Sequence, residues 1–354
     1  MTNGRLIVVL GMHRSGSSAI ARGMQVLGID LGDRLVPAIE GVNGKGFWED
    51  FDILGLNIEI LNILGSEWYR LGLLSFDDID LLRREGFFTR AVELLRQKTS
   101  NHAIFGFKDP RVAILLPFWK EVFNQCQLEV SYIVTVRHPR SVVESLAKRD
   151  DLDVTIGYLL WLTHVITSIT GSIGDRRVLV DYDRLMEEPE REVERMSRQL
   201  DLKIDASALQ YYKSEFLDDR LRHTIYDLND LSQDALCPPL VNDVYTSLLD
   251  LTSSGINEND AEFQHTAKNW LGELEQLKWV LLMVDRLTNK SDGFKKTTLD
   301  QATQIEFLNK SSAVCDTQIE SLEQMMIDRD TQIESLEQMM IDRDTQIESL
   351  EQMM

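Results

Sequence analysis

The run Leu6-Ile7-Val8-Val9-Leu10, followed at once by Gly11-Met12-His13-Arg14-Ser15-Gly16-Ser17-Ser18, constrains the fold of this chain more than any other feature. A short, wholly apolar run reads as a strand buried on both faces. Two glycines allow a tight turn and a close approach of a ligand to the backbone. Ser17–Leu27 then continues with a helical pattern. Strand, Gly-bracketed loop and helix together make a cradle for an anion, because the first-turn N–H groups converge where the helix dipole is positive. Such a unit belongs to a parallel sheet covered by helices on both sides.

The chain up to about residue 200 agrees with that architecture. Apolar runs at Ala103–Phe107, Ser131–Val136 and Val178–Val180 predict three further strands. Helical patterns fall between and after them, at Leu54–Leu64, Ile79–Gln97, Ala113–Phe123, Pro139–Lys148 and Glu187–Leu200. The expected fold class is α/β, a P-loop-like parallel sheet flanked by helices, with a C-terminal helical and coiled-coil tail. From about Asp201 the strand signals fade. Residues 262–288 carry an apolar stripe (Leu271, Leu274, Leu277, Leu281, Val284) with Trp270 and Trp279 alongside, which predicts a helix packed on the body or on a partner. The expected division is an α/β domain over 1–235, a helical extension over 236–300 and a repetitive tail over 301–354.

In that tail, DTQIESLEQMMIDR at 316–329 recurs unchanged at 330–343, and a third copy begins at 344. A decayed copy precedes them, with Thr303–Leu308 set 14 residues ahead of Thr317–Leu322. Fourteen residues are two heptads, the spacing of a left-handed supercoil. Ile305, Ile319, Ile333 and Ile347 take a positions, with Met326 and Met340 between them. Leu308, Leu322, Leu336 and Leu350 take d, but Cys315, Arg329 and Arg343 occupy the alternate d positions and are poor core residues. The pattern predicts a weak coiled coil or a long solvated helix that favours self-association and takes no part in catalysis.

Charge narrows the partners. The formal charge is −21, of which residues 316–354 contribute −9 and residues 1–315 contribute −12. An acidic body lacks the basic footprint that nucleic acid requires, so any phosphate must be held by a few locally placed cations. Cys126, Cys237 and Cys315 are odd in number and far apart, which fits neither a disulfide framework nor a ligand cluster and suits a reducing compartment. The six histidines show no metal-ligand spacing, and no metal is expected. The apolar run at the N-terminus is too short for a membrane span or a signal h-region. A cytoplasmic protein with no transmembrane segment is the expectation.

Against a Walker A loop, GxxxxGK[ST], the glycine spacing is kept and Ser18 fills the hydroxyl place, but Ser17 stands where the lysine should be. The cation has moved inside the loop, to Arg14. A rigid guanidinium with several hydroxyls suits a metal-free phosphate or sulfate better than a triphosphate on magnesium. Later, Val136-Arg137-His138-Pro139 ends a strand and opens a helix, with Ser145 about two turns in. An Arg at a strand's C-terminal end lies where open α/β sheets bind their ligands.

These two segments together resemble the nucleotide site of sulfotransferases that use 3′-phosphoadenosine 5′-phosphosulfate (PAPS), in the form where arginine replaces the loop lysine. The resemblance covers roughly residues 5–225. It extends to Asn43-Gly44-Lys45-Gly46-Phe47-Trp48-Glu49-Asp50, which departs from the bacterial signature at Gly44, and to Phe107-Lys108-Asp109-Pro110-Arg111. It implies that Arg14, Ser15, Gly16, Ser17 and Ser18 hold the 5′-phosphosulfate, with Arg14 also stabilising charge on the bridging oxygen. It further implies that Arg137 and Ser145 grip the 3′-phosphate and that Arg222, in a late basic segment, closes over the nucleotide. Lys108 and Arg111 are candidates for contact with the nucleotide or an anionic acceptor. Asp181, ending VLVD, resembles a Walker B carboxylate but is structural in the family's pattern.

A carboxylate must take the acceptor's proton. Glu49 is the first candidate, with Lys45 as its alternative partner, followed by Asp109 and then Glu40. The expected activity is sulfuryl transfer from PAPS to a hydroxyl or amine, on a carbohydrate or a small metabolite. Two alternatives remain: a P-loop kinase using Ser18 and Asp181, and a non-catalytic scaffold presenting the tail.

Overall fold

The computed structural model of the chain describes residues 4–39, 44–217, 226–254 and 260–353. The chain divides into two compact units, Met1–Arg286 and Leu287–Met354. The first unit is mostly helical around one four-stranded parallel sheet. Its strands are β1 (Arg5–Leu10), β2 (Ile104–Lys108), β3 (Glu129–Val136) and β4 (Arg176–Asp181), in the order β2-β1-β3-β4. Helix α1 (Ser17–Met24) follows β1, and α2 (Phe51–Ile63), α3 (Phe76–Arg84) and α4 (Phe87–Thr99) precede β2. Helix α5 (Val112–Gln125) leads to β3, and α6 (Pro139–Asp150) and α7 (Val154–Gly171) lead to β4. After β4 come α8 (Tyr182–Glu187), α9 (Pro189–Leu200), α10 (Ala206–Tyr211) and α11 (Leu228–Ser232). The series ends with α12 (Pro239–Ser254), α13 (Ala261–Gln276) and α14 (Lys278–Met353).

The strand period explains why the sheet is covered twice. Along β1, Leu6, Val8 and Leu10 face one core with α4, α5 and α7, while Ile7 and Val9 face a second with α1 and α9. β3 alternates likewise, with Tyr132, Val134 and Val136 on the first side and Ile133 on the second. Each such side chain taken from water contributes roughly 1.5–3 kcal/mol, so the register of the central strands is strongly specified.

All four predicted strands are present: β1, β3 and β4 are one to three residues longer than their apolar runs, and β2 is shifted by one residue. Two helical readings need correction, and helix α7 was not read from the sequence. The pattern over Ile79–Gln97 is two helices, because Gly86 (φ 81°) turns the chain between α3 and α4. The stretch 262–288 is also interrupted: Leu277 ends α13, leaving Trp270 buried and Trp279 exposed. Helix α7 lacked an amphipathic signature because it is buried on several faces, through Leu160, Leu162 and Ile166 as well as Trp161 and Val165. It is the one described helix long and apolar enough to cross a membrane, yet most of it lies inside this core.

Helices α12 and α13 share that core: Val244, Leu248, Phe263, Trp270 and Leu274 pack in the same cluster as Trp161. The part of the 236–300 segment up to Arg286 therefore belongs to the first unit. The second unit is helix throughout its described residues, and from Gly293 to Glu351 every residue is exposed.

Candidate active site

The C-terminal end of each strand delivers residues to one edge of the sheet, where open α/β sheets carry their ligands. β1 runs into Gly11–Ser18, β2 ends on Lys108, β3 is followed by Arg137, and β4 ends on Asp181 before Tyr182. Both loop glycines are required by close packing. A Cβ on Gly11 (φ 139°) would lie 2.2 Å from the Thr135 hydroxyl oxygen, and one on Gly16 (φ 82°) would lie 2.0 Å from the Tyr182 ring. Ser15 does not face outward. Its hydroxyl donates to the Met12 carbonyl at 2.6 Å and lies 2.6 Å from Thr135 Oγ1, which anchors the loop to β3.

Arg14 sits at the apex in a left-handed conformation (φ 66°) that costs an ordinary residue on the order of 1–2 kcal/mol. That conformation carries its guanidinium across the crevice, where Nε donates to Ser145 Oγ on α6 at 2.8 Å. Gly16 stands at the N-cap of helix α1, and no side chain among the described residues caps it. Its first turn thus presents backbone donors to the crevice.

The second half of the site is tied to the first. Arg137 Nη1 donates to the Arg14 carbonyl at 2.9 Å, and its guanidinium lies over the Tyr182 ring at 4.7 Å. Arg137 Nε is buried and has no partner among the described residues. Tyr182 is a shared wedge, pressed against Gly16 and carrying Arg137. One helical turn beyond Ser145, Arg149 lies over the Trp68 ring at 5.2 Å. Burial, then the Arg149 and Arg137 charges, pull the Arg14 pKa below its ordinary value. Three guanidiniums crowd one crevice of an acidic protein, and although Asp150 pairs with Arg149 at 2.7 Å, the arrangement favours a bound anion.

Around the crevice the carboxylates separate into distinct roles. Glu49 accepts a hydrogen bond from Lys108 Nζ at 2.6 Å, and Lys108 also reaches Ser18 Oγ at 3.4 Å. Lys45 is not the partner of Glu49; its ammonium donates to the Glu215 carbonyl at 2.9 Å. Burial raises the Glu49 pKa, outweighing the opposing Lys108 charge. Asp109 is 1% exposed, and both its oxygens are occupied. One accepts from Asn57 Nδ2 at 2.9 Å, the other from the Arg111 backbone and Nη1, each at 3.0 Å. Asn57 is fixed in turn by Trp119 Nε1 at 2.9 Å. Asp181 caps α8 by accepting from the Arg184 N–H at 2.9 Å, and burial lifts its pKa to about 6. Burial and the nearby Arg111 hold His13 neutral, packed edge-on against Trp68.

Of the predicted residues, the structure brings together Arg14, Gly16, Ser18, Arg137 and Ser145, with Glu49 joined to them through Lys108. Ser17 is buried in the first turn of α1. The side chains of Ser15 and Asp109 are bonded within the protein, Ser15 to Met12 and Thr135 and Asp109 to Asn57 and Arg111. Arg222 and Glu40 lie outside the described residues. Sequence reasoning missed Thr135, Tyr182 and Arg149. The last has a readable signal, since it follows Ser145 by four residues on the same helix face.

No protein-family model matches the chain, and no curated protein does. Its backbone is similar to the sulfotransferase domain of the curacin biosynthetic pathway, at TM-score 0.40 and 15% identity over 70% of this chain and 98% of that one. It is also similar to the sulfotransferase domain of the Synechococcus PCC 7002 olefin synthase, at TM-score 0.38 and 17% identity over 73% and 96%. A sulfotransferase of Mycobacterium tuberculosis is similar at TM-score 0.38 and 14% identity over 70% and 77%.

Proposed function

We propose that this chain is a sulfotransferase that moves a sulfuryl group from PAPS to a hydroxyl or amine of a carbohydrate or small metabolite. The observation that carries the reading is the coupling of two guanidiniums across the crevice. Arg14 bonds to Ser145, and Arg137 bonds to the Arg14 carbonyl. A loop distorted to hold an arginine beside two other arginines is built for dense negative charge.

In this reading the α1 N-terminus, Arg14 and Ser18 hold the 5′-phosphosulfate, while Arg137 and Ser145 hold the 3′-phosphate. PAPS supplies the activated sulfuryl group as a phosphosulfate anhydride. The sulfur–oxygen bond to the phosphate breaks as a bond from sulfur to the acceptor oxygen or nitrogen forms. The acceptor's proton passes to Glu49, and adenosine 3′,5′-bisphosphate leaves. Glu49 suits the task because burial lifts its basicity while Lys108 fixes its orientation. Asp109 positions Arg111 and takes no proton. Arg14 meets the charge that grows on the departing bridging oxygen. The three unpaired cysteines favour action in the cytosol.

Calorimetric titration with adenosine 3′,5′-bisphosphate and, separately, with ATP–Mg²⁺ tests the assignment. The bisphosphate should bind, and Arg137→Ala should weaken it at least tenfold. Binding of ATP–Mg²⁺ alone would overturn the proposal in favour of a kinase. Binding of neither would favour a scaffold.

A further inference from the structure

The repeat helix exposes its whole apolar seam. In the second unit Ile319, Leu322, Met326, Ile333, Leu336 and Ile347 are all about half exposed, although they recur at heptad a and d positions. A 3.5-residue period buries nothing on a lone helix, so the seam calls for a partner with the same period. The sequence of this tail itself supplies that period, and its charges specify how two copies would lie.

From Asp316 onward the e positions are acidic without interruption: Asp316, Glu323, Asp330, Glu337, Asp344 and Glu351. The g positions alternate Gln and Met from Gln318 to Gln346 and carry no charge. An antiparallel pair sets e against e, which would align carboxylates along its full length. A parallel pair sets e against g, so Glu337 faces a glutamine that can donate to it. The arginine rungs point the same way. In a parallel pair each d side chain enters a hole that includes the partner's e residue, so Arg329 meets Asp330 of the second copy. Within one helix these two already lie 3.8 Å apart, as do Arg343 and Asp344 at 3.7 Å. Two arginines and two aspartates then make a neutral layer. A slip of one heptad would instead press each arginine against a leucine, so the arginine rungs hold the register as polar core residues do in other coiled coils.

We infer that residues 305–351 pair with the same residues of a second copy of this chain as a two-stranded, parallel, in-register coiled coil. Isoleucine at a with leucine at d favours two strands. The inference is independent of the chemistry assigned to the first unit. Cys315 lies on the same seam, at a d position, and is exposed in the single chain. Only a parallel, in-register pair sets it against its own copy.

The test uses the full chain carrying Cys126→Ser and Cys237→Ser. Light scattering should give twice the 40.7 kDa chain mass. A short bismaleimide should then link the two copies through Cys315, and the further change Cys315→Ser should abolish the link. Ile333→Asp with Ile347→Asp should return the mass to that of one chain without altering the melting of the first unit. A single-chain mass at tens of micromolar, a mass of three or more chains, or a dimer that Cys315 fails to link would each overturn the inference.

Discussion

A methyl group added at Gly16 would fall 2.0 Å from the Tyr182 ring, whereas one added at Gly293 would meet nothing within 4 Å. The two glycines represent the two units. In the first, a residue's identity is set by neighbours far away in sequence: Arg14 by Ser145, Glu49 by Lys108, Gly11 by Thr135. In the second, identity is set by period, and no single side chain has a dedicated niche. Substitutions should therefore be severe and specific at the strand ends but mild and periodic in the tail.

The sharpest way to break this contrast is to remove the apex cation. Arg14→Gly should lower kcat/KM for sulfuryl transfer on the order of 10²–10³-fold, as loss of one preorganised charge does. Stability should hold within about 1 kcal/mol, because glycine relieves the left-handed backbone and so offsets the loss of the bond to Ser145. Full activity in this variant would leave the crevice without its proposed role. Next in size is Gly16→Ala. Overpacking against Tyr182, added to the cost of a left-handed alanine, should lower stability by about 2–4 kcal/mol in chemical denaturation. Adding Tyr182→Ala should recover part of the stability but not the bisphosphate affinity, since Arg137 then loses the ring beneath it.

A smaller effect separates Asp181 from the chemistry. Its carboxyl is raised from 3.8 to about 6 by burial. A raised acid stabilises the fold fully below its unfolded pKa, and that contribution disappears as pH rises through about 6. Asparagine keeps the acceptor for the Arg184 N–H without the buried charge. Each pH unit by which burial lifts the carboxyl corresponds to ~1.4 kcal/mol, so Asp181→Asn should add about 1–3 kcal/mol at pH 7 and nothing near pH 3.5. Thermal melts at the two pH values check this. Retained transferase activity in the variant would sharpen the case against a kinase, for which this carboxylate would hold a metal.

What could be read from sequence follows the same division. Buried parallel strands are near-continuous apolar runs, so β1 to β4 stood out without reference to their partners. The loop was legible because glycine spacing is a local property. Contacts that close the site were not, since Lys108 and Glu49 are 59 residues apart and nothing in either segment names the other. The inward turn of Ser15 depends on Thr135, 120 residues away. Helix α7 was hidden because burial on several sides erases the period that exposes an amphipathic helix. Gly86 shows the reverse case: a visible breaker inside Ile79–Gln97 was outweighed by the periodicity around it, although the chain does turn there.

The smallest expected effect concerns the tail and comes from a deletion. Removing 330–343 takes out one whole copy, and in a 3.5-residue period 14 residues close four full turns. Every remaining a and d residue stays on the seam, and each arginine rung still meets an acidic neighbour. The paired tail should shorten by ~21 Å at ~1.5 Å per residue and keep its helicity per residue in circular dichroism. Removing only 330–333 turns everything beyond by about 50° relative to the seam. Ile347 and Leu350 then leave the stripe that Ile319 and Leu322 begin, and the dimer should weaken although ten fewer residues are lost. If the four-residue deletion pairs more tightly than the fourteen-residue one, length outweighs phase, and the period is not what organises this half of the molecule.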